Sequence, residues 1–133
     1  MSYTDPDHYK QNTTGIQPKD LYCYTNGNIS ALLKYIERAG KKHGESAVKD
    51  LSKAKTYAGF MIEDIRHNRG GFGVHINAKP YLDVLCRMTK CVYRKSIYES
   101  LEWMCGCESS YDAVNYLENI IDALNLLLEE ECK

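Results

Sequence analysis

The chain has 133 residues, of which 44% are hydrophobic and 26% charged, and its formal net charge is −1. That length suits one domain with one core, and the near-neutral charge argues against generic duplex nucleic-acid binding while leaving room for a local basic patch. No apolar run approaches the roughly 20 residues needed to cross a bilayer. The opening Met-Ser-Tyr-Thr-Asp-Pro-Asp-His has neither the basic start nor the apolar stretch of a secretory signal. The expectation is a cytoplasmic, all-α protein: a compact domain over 1–133 of about five helices with an extended N-terminal arm.

Residues 1–20 are polar, contain Pro6 and Pro18, and read as that arm with a short helical start near Gln17-Pro18-Lys19-Asp20. Asn26-Gly27-Asn28 is a turn, with Asn28 placed to cap the next helix. That helix runs from Ile29 to Gly40, with Ile29, Leu32, Leu33 and Ile36 as its apolar stripe and Lys34, Arg38 and Lys41 on another face. Gly40 stops it and Lys41-Lys42-His43-Gly44 forms the turn. Ser46 caps a second helix reaching about Ile65, with apolar positions Ala47, Leu51, Ala54, Ala58, Met61 and Ile65. The short turn makes the two helices antiparallel neighbours.

His67-Asn68-Arg69-Gly70-Gly71-Phe72-Gly73 is the clearest break. It lacks the Gly-Lys-Ser/Thr ending of a phosphate-cradling loop and reads as a mobile connection. Beyond it lies a helical C-terminal half, 74–133. Pro80 opens a third helix with Tyr81, Leu85, Met88 and Val92 on its apolar face. A fourth holds Ile97, Leu101 and Met104. Ser109 or Ser110 caps a fifth whose Val114, Leu117, Ile121, Leu124 and Leu128 form a coiled-coil-like seam, suited to packing within the subunit or between subunits of a homo-oligomer.

Six cysteines do not show the paired Cys-x-x-Cys spacing of structural zinc sites, so buried free thiols and no metal are expected. Glu99 and Glu102 on one helix, with Glu118 and Asp122 on the next, look a little like the carboxylates of all-α pyrophosphohydrolases of the MazG type; solvated acidic faces explain them better. Eleven tyrosines against one tryptophan and two phenylalanines favour surfaces that are both apolar and hydrogen-bonding.

The cluster Lys34, Arg38, Lys41 and Lys42 is the most informative feature. Cations on one helix face beside a turn suit a phosphate, and the free amides of Ala47 to Lys49 at the next helix start point into the same turn. Complementing the helix dipole is the plain alternative. Asp50, in the first turn of its helix, is a candidate general base or a partner for Arg38 or Lys53. His8, in the polar arm, is an acid/base or phosphate-contact candidate.

Asp7-His8-Tyr9-Lys10, then Ile16-Gln17-Pro18-Lys19-Asp20, Leu33-Lys34-Tyr35-Ile36-Glu37-Arg38-Ala39-Gly40-Lys41-Lys42 and Asp50-Leu51-x-Lys53-Ala54-x-x-Tyr57 resemble a small domain family of tailed phages, of unknown function, that is also found in the small nucleotide kinase of phage T7. The resemblance covers about residues 7–65. It implies phosphoryl transfer from ATP to deoxynucleoside monophosphates without a Walker motif, in an oligomer of the host cytoplasm. It also implies that His8, Tyr9, Lys34, Tyr35, Arg38, Lys41, Asp50, Lys53 and Tyr57 cluster. His8, Asp50 and Arg38 would then be catalytic, the others would bind the nucleotide, and ATP would serve as donor with no resident cofactor. The alternatives are a nucleotide-sequestering protein and a Mg²⁺-dependent pyrophosphohydrolase.

Overall fold

A computed structural model describes residues 18–39 and 46–132. These form five α-helices: α1 (Gly27–Arg38), α2 (Ala47–Arg66), α3 (Lys79–Met88), α4 (Val92–Met104) and α5 (Ser110–Glu131). Two 3-10 helices, Pro18–Tyr24 and Ile76–Ala78, precede α1 and α3. The all-α expectation is met over the described residues. The N-terminal arm and the turn after Gly40 lie outside them.

α1, α2 and α5 each start where a side chain takes an otherwise unbonded amide. Asn26, not Asn28, caps α1: its Oδ1 accepts from the Ile29 amide at 2.9 Å. Asn28 instead sends its Nδ2 to Asp64 Oδ2 of α2, also at 2.9 Å. Ser46 caps α2 by accepting from the Val48 amide, and Ser109 caps α5 by accepting from the Asp112 amide. Pro80 sits in the first turn of α3, where its missing N–H costs nothing.

The apolar stripes meet in one core. Ile29, Leu32, Leu33 and Ile36 of α1 are buried, with Leu51, Ala54, Ala58, Met61, Ile62 and Ile65 of α2. α1 packs on α2, α2 on α5, and α5 on α4, which holds α3. The α5 seam is therefore internal, and it is wider and shifted relative to the heptad reading. Ala113, Leu117, Ile120, Ala123, Leu124 and Leu127 are buried, while Val114, Ile121 and Leu128 flank them. A helix pressed by two neighbours buries more than one narrow seam.

The α3 stripe also differs. Leu82 and Cys86 are its buried residues, with Tyr81 and Leu85 partly buried against the core. Met88 and Val92 are exposed, because the helix ends at Met88 and the chain restarts as α4 at Val92. Thr89 Oγ1 donates back to Leu85 O at 2.6 Å at this break.

The glycine-rich break is anchored at its far end. The Asn26 amide donates to Gly73 O at 2.9 Å, and the His75 amide to Tyr24 O at 2.8 Å, around an isolated antiparallel bridge between Thr25 and Val74. Gly73 has φ +91°, and a Cβ there would stand 2.7 Å from Ile29 Cγ1. Glycine is required at this point because the backbone is left-handed and lies against the α1 side chains.

Candidate functional site

α1 and α2 lie side by side with their polar stripes adjoining. On α1, Lys34 and Arg38 stand one turn apart, flanking Tyr35. On α2, Lys53 and Tyr57 have the same spacing. The register of the two helices brings Tyr35 and Tyr57 into a parallel stack, with ring centroids 5.9 Å apart and planes 14° from parallel. Lys34 Nζ lies 5.4 Å from the Tyr35 centroid, Arg38 Cζ 5.6 Å and Lys53 Nζ 5.2 Å. Phe60, one turn beyond Tyr57 and 51% exposed, meets the Tyr57 ring edge-on at 5.6 Å. Of the residues named from sequence, the structure thus gathers Lys34, Tyr35, Arg38, Lys53 and Tyr57. His8, Tyr9 and Lys41 lie outside the described residues.

Three cations around one ring repel one another. The negative face of a tyrosine offsets that repulsion by about 0.5–1 kcal/mol per cation at an exposed site. No carboxylate among the described residues forms an ion pair with Lys34, Arg38 or Lys53. Elsewhere three arginines have carboxylate partners: Arg66 with Glu63 and Glu118, Arg69 with Asp64, and Arg87 with Asp83. The α1–α2 face therefore keeps a positive potential beside an aromatic surface, and this combination suits a planar, phosphorylated ligand.

Asp50 is in the first turn of α2, one turn before Lys53, and only 1% exposed. Neither carboxylate oxygen has a hydrogen-bond partner among the described residues. It pairs with neither Arg38 nor Lys53, so two of its sequence-based roles are not realised. A helix N-terminus favours a carboxylate, yet a buried one without donors is costly.

The amides expected to form an anion cradle at the start of α2 are largely in use. Val48 N–H donates to Ser46 Oγ at 3.1 Å and Lys49 N–H to Ser46 O at 3.2 Å. The serine that makes the helix start legible also consumes those donors.

The carboxylates of the C-terminal half do not converge. Among the described residues no group of three or more His, Cys, Asp or Glu side chains is placed to hold a metal ion. Glu99, Glu118 and Asp122 are exposed, with Glu118 reaching Arg66. Glu102 lines a shallow groove with Ile76, Lys79, Pro80 and Asp83. Its carboxyl pKa is raised, first by burial and then by the Asp83 charge. The described cysteines are free, and burial pushes the Cys105 thiol up to about 11. Those six thiols are spread from exposed Cys23 and Cys132 to buried Cys86 and Cys105.

Two contributors to this region were missed from sequence. Phe60 extends the aromatic surface; as a large apolar residue at Tyr57 +3 on a polar face it was visible. Arg94 of α4 donates to Ile36 O at 2.6 Å and to Ala39 O at 3.4 Å, closing the C-terminal turn of α1. No local pattern reveals a partner 58 residues away.

Residues 3–59 match the family described as a protein of unknown function, DUF3310. The match takes in α1 and most of α2, and with them every residue of the cation–tyrosine cluster. No curated protein and no solved structure matches the chain. No helix among the described residues is long and apolar enough to cross a membrane.

Proposed function

We propose that the α1–α2 face binds a nucleotide, and that the protein transfers a phosphoryl group from ATP to deoxynucleoside monophosphates in phage nucleotide metabolism. The observation that carries this reading is the set of three cations, without carboxylate partners among the described residues, held around one ring of a stacked tyrosine pair. The two parts match the two parts of a nucleotide. Lys34, Arg38 and Lys53 supply charge for phosphates, and Arg38 adds a planar fork suited to phosphoryl oxygens. Tyr57 and the half-exposed Phe60 supply a face on which a base can stack.

Phosphoryl transfer is catalysed mainly by positioning and charge neutralisation, and this face offers both. Arg38 would offset the charge on the transferring group, and Asp50 or His8 would take the acceptor proton. The resemblance of residues 7–65 to the domain of a phage nucleotide kinase supports the same reading, and with it a homo-oligomer in the host cytoplasm.

A second reading, binding without chemistry, is favoured by one observation. Among the described residues no group of three or more His, Cys, Asp or Glu side chains is placed to hold a metal ion without help from the nucleotide. Mixing the protein with ATP, Mg²⁺ and a deoxynucleoside monophosphate and following ADP separates the two. Turnover is expected, with kcat/KM lowered at least about tenfold in Lys34→Ala and in Arg38→Ala, the loss of one charge-assisted contact. Calorimetric binding without turnover selects the sequestering protein. Full activity in both variants removes the site assignment.

A further inference from the structure

Arg94 belongs to α4, outside the family match, yet its guanidinium bonds to the end of the helix that carries Lys34, Tyr35 and Arg38. Nη1 donates to Ile36 O at 2.6 Å and Nη2 to Ala39 O at 3.4 Å. Arg38 lies between those two residues in the chain. The electrostatics of that place are unfavourable to an anion. The last carbonyls of a helix carry a partial negative charge, about half an elementary charge, and phosphates are usually held at the opposite end. Glu37 adds a carboxylate nearby. It and Arg94 act in opposite directions on the Tyr98 hydroxyl, whose pKa burial already raises.

A phosphate held by Arg38 would therefore face a field of the wrong sign unless something offsets it. Arg94 is placed to do so. Its guanidinium bonds to the Ile36 and Ala39 carbonyls, and among the described residues no carboxylate forms an ion pair with it. A full positive charge thus lies against the Ile36 and Ala39 carbonyls at the C-terminal end of α1 and opposes their partial negative charge.

We propose that Arg94 is a positioning residue for the phosphate site: it caps and neutralises the C-terminal end of α1, so that the cation–tyrosine face formed by the matched segment can hold polyphosphate. This rests on the nucleotide-binding reading above. It also gives the C-terminal half a role in the site.

The test is calorimetry on the full chain with AMP, ADP and ATP as probes, comparing wild type, Arg94→Gln and Arg94→Lys. Glutamine keeps an N–H donor for a carbonyl but no charge; lysine keeps the charge without the fork. Arg94→Gln is expected to weaken ATP by about five- to thirtyfold, the range for a partly buried charge at a helix C-terminus, and AMP by less. Arg94→Lys should stay within about threefold of wild type, since it retains the charge. The proposal is overturned if Arg94→Gln binds ATP as wild type does, or weakens the three nucleotides equally. It is equally overturned if Arg94→Lys is as weak as Arg94→Gln, and should the glutamine variant not fold, a more than tenfold loss in the lysine variant does the same. Wild type binding none of the three removes the site reading and Arg94 with it, whereas wild-type binding with an indifferent Arg94→Gln removes Arg94 alone.

Discussion

At one end of the α1–α2 pair Asp64 accepts from Asn28 at 2.9 Å and from Arg69 at 2.9 Å. At the other end Asp50, on the same helix and more deeply buried, accepts from no group among the described residues. The first end is closed by its own side chains and by the backbone bonds joining Asn26 to Gly73 and Tyr24 to His75. The second end carries Lys34, Arg38 and Lys53 with no carboxylate partner among the described residues. Polar groups that satisfy one another hold a fold together; polar groups left unsatisfied store interaction capacity, at a cost in stability. The contrast separates an end closed by its own polar groups from the end proposed to bind, within one helical hairpin.

The largest test breaks the closed end. Gly73→Ala forces a left-handed residue to carry a Cβ 2.7 Å from Ile29 Cγ1. A loss of about 3 kcal/mol in chemical denaturation is expected, from the conformational penalty plus overpacking. A loss under about 1 kcal/mol would show that the clasp yields easily.

The sharpest test makes the same change at both ends. Asp64→Asn keeps the shape but weakens two charge-assisted bonds at a partly exposed group, and should cost about 1 kcal/mol. Asp50→Asn replaces a buried carboxyl group that has no donor among the described residues, and should raise stability by about 1 kcal/mol while lowering turnover. Matching signs in two urea titrations would remove the distinction. The smallest effect is expected for Phe60→Ala, which trims a half-exposed ring: stability within about 0.5 kcal/mol, and nucleotide affinity lower by about threefold, in keeping with loss of part of a stacking surface.

Local chemistry was well written in the chain. Ser46 and Pro80 mark helix starts by their own bonding, and the α1 stripe and the spacing of Lys34 and Arg38 follow from helical period alone. What failed to show depended on distant partners. Asn26 and Asn28 offer identical cap chemistry, and the choice is made by Gly73 O and Asp64, neither of which is near in sequence. The glycine-rich break read as a loose connector because the close approach of Gly73 to Ile29 exists only once the hairpin has folded. In the site, the Tyr35–Tyr57 stack required the register between two helices, which periodicity within each does not contain. Asp50 looked like an ordinary first-turn acid, and its isolation is a property of the packed core.

The clasp between Asn26 and Gly73 has a consequence for modularity. The family match stops at residue 59, inside α2, whereas the hairpin is not closed until the backbone bonds at Gly73 and His75 are made. A fragment ending at the match would lack Met61, Ile65 and Asp64, and would leave Ile29 and Asn28 without their partners. The matched stretch of sequence is thus shorter than the α1–α2 hairpin with its closing bonds, which extends to His75.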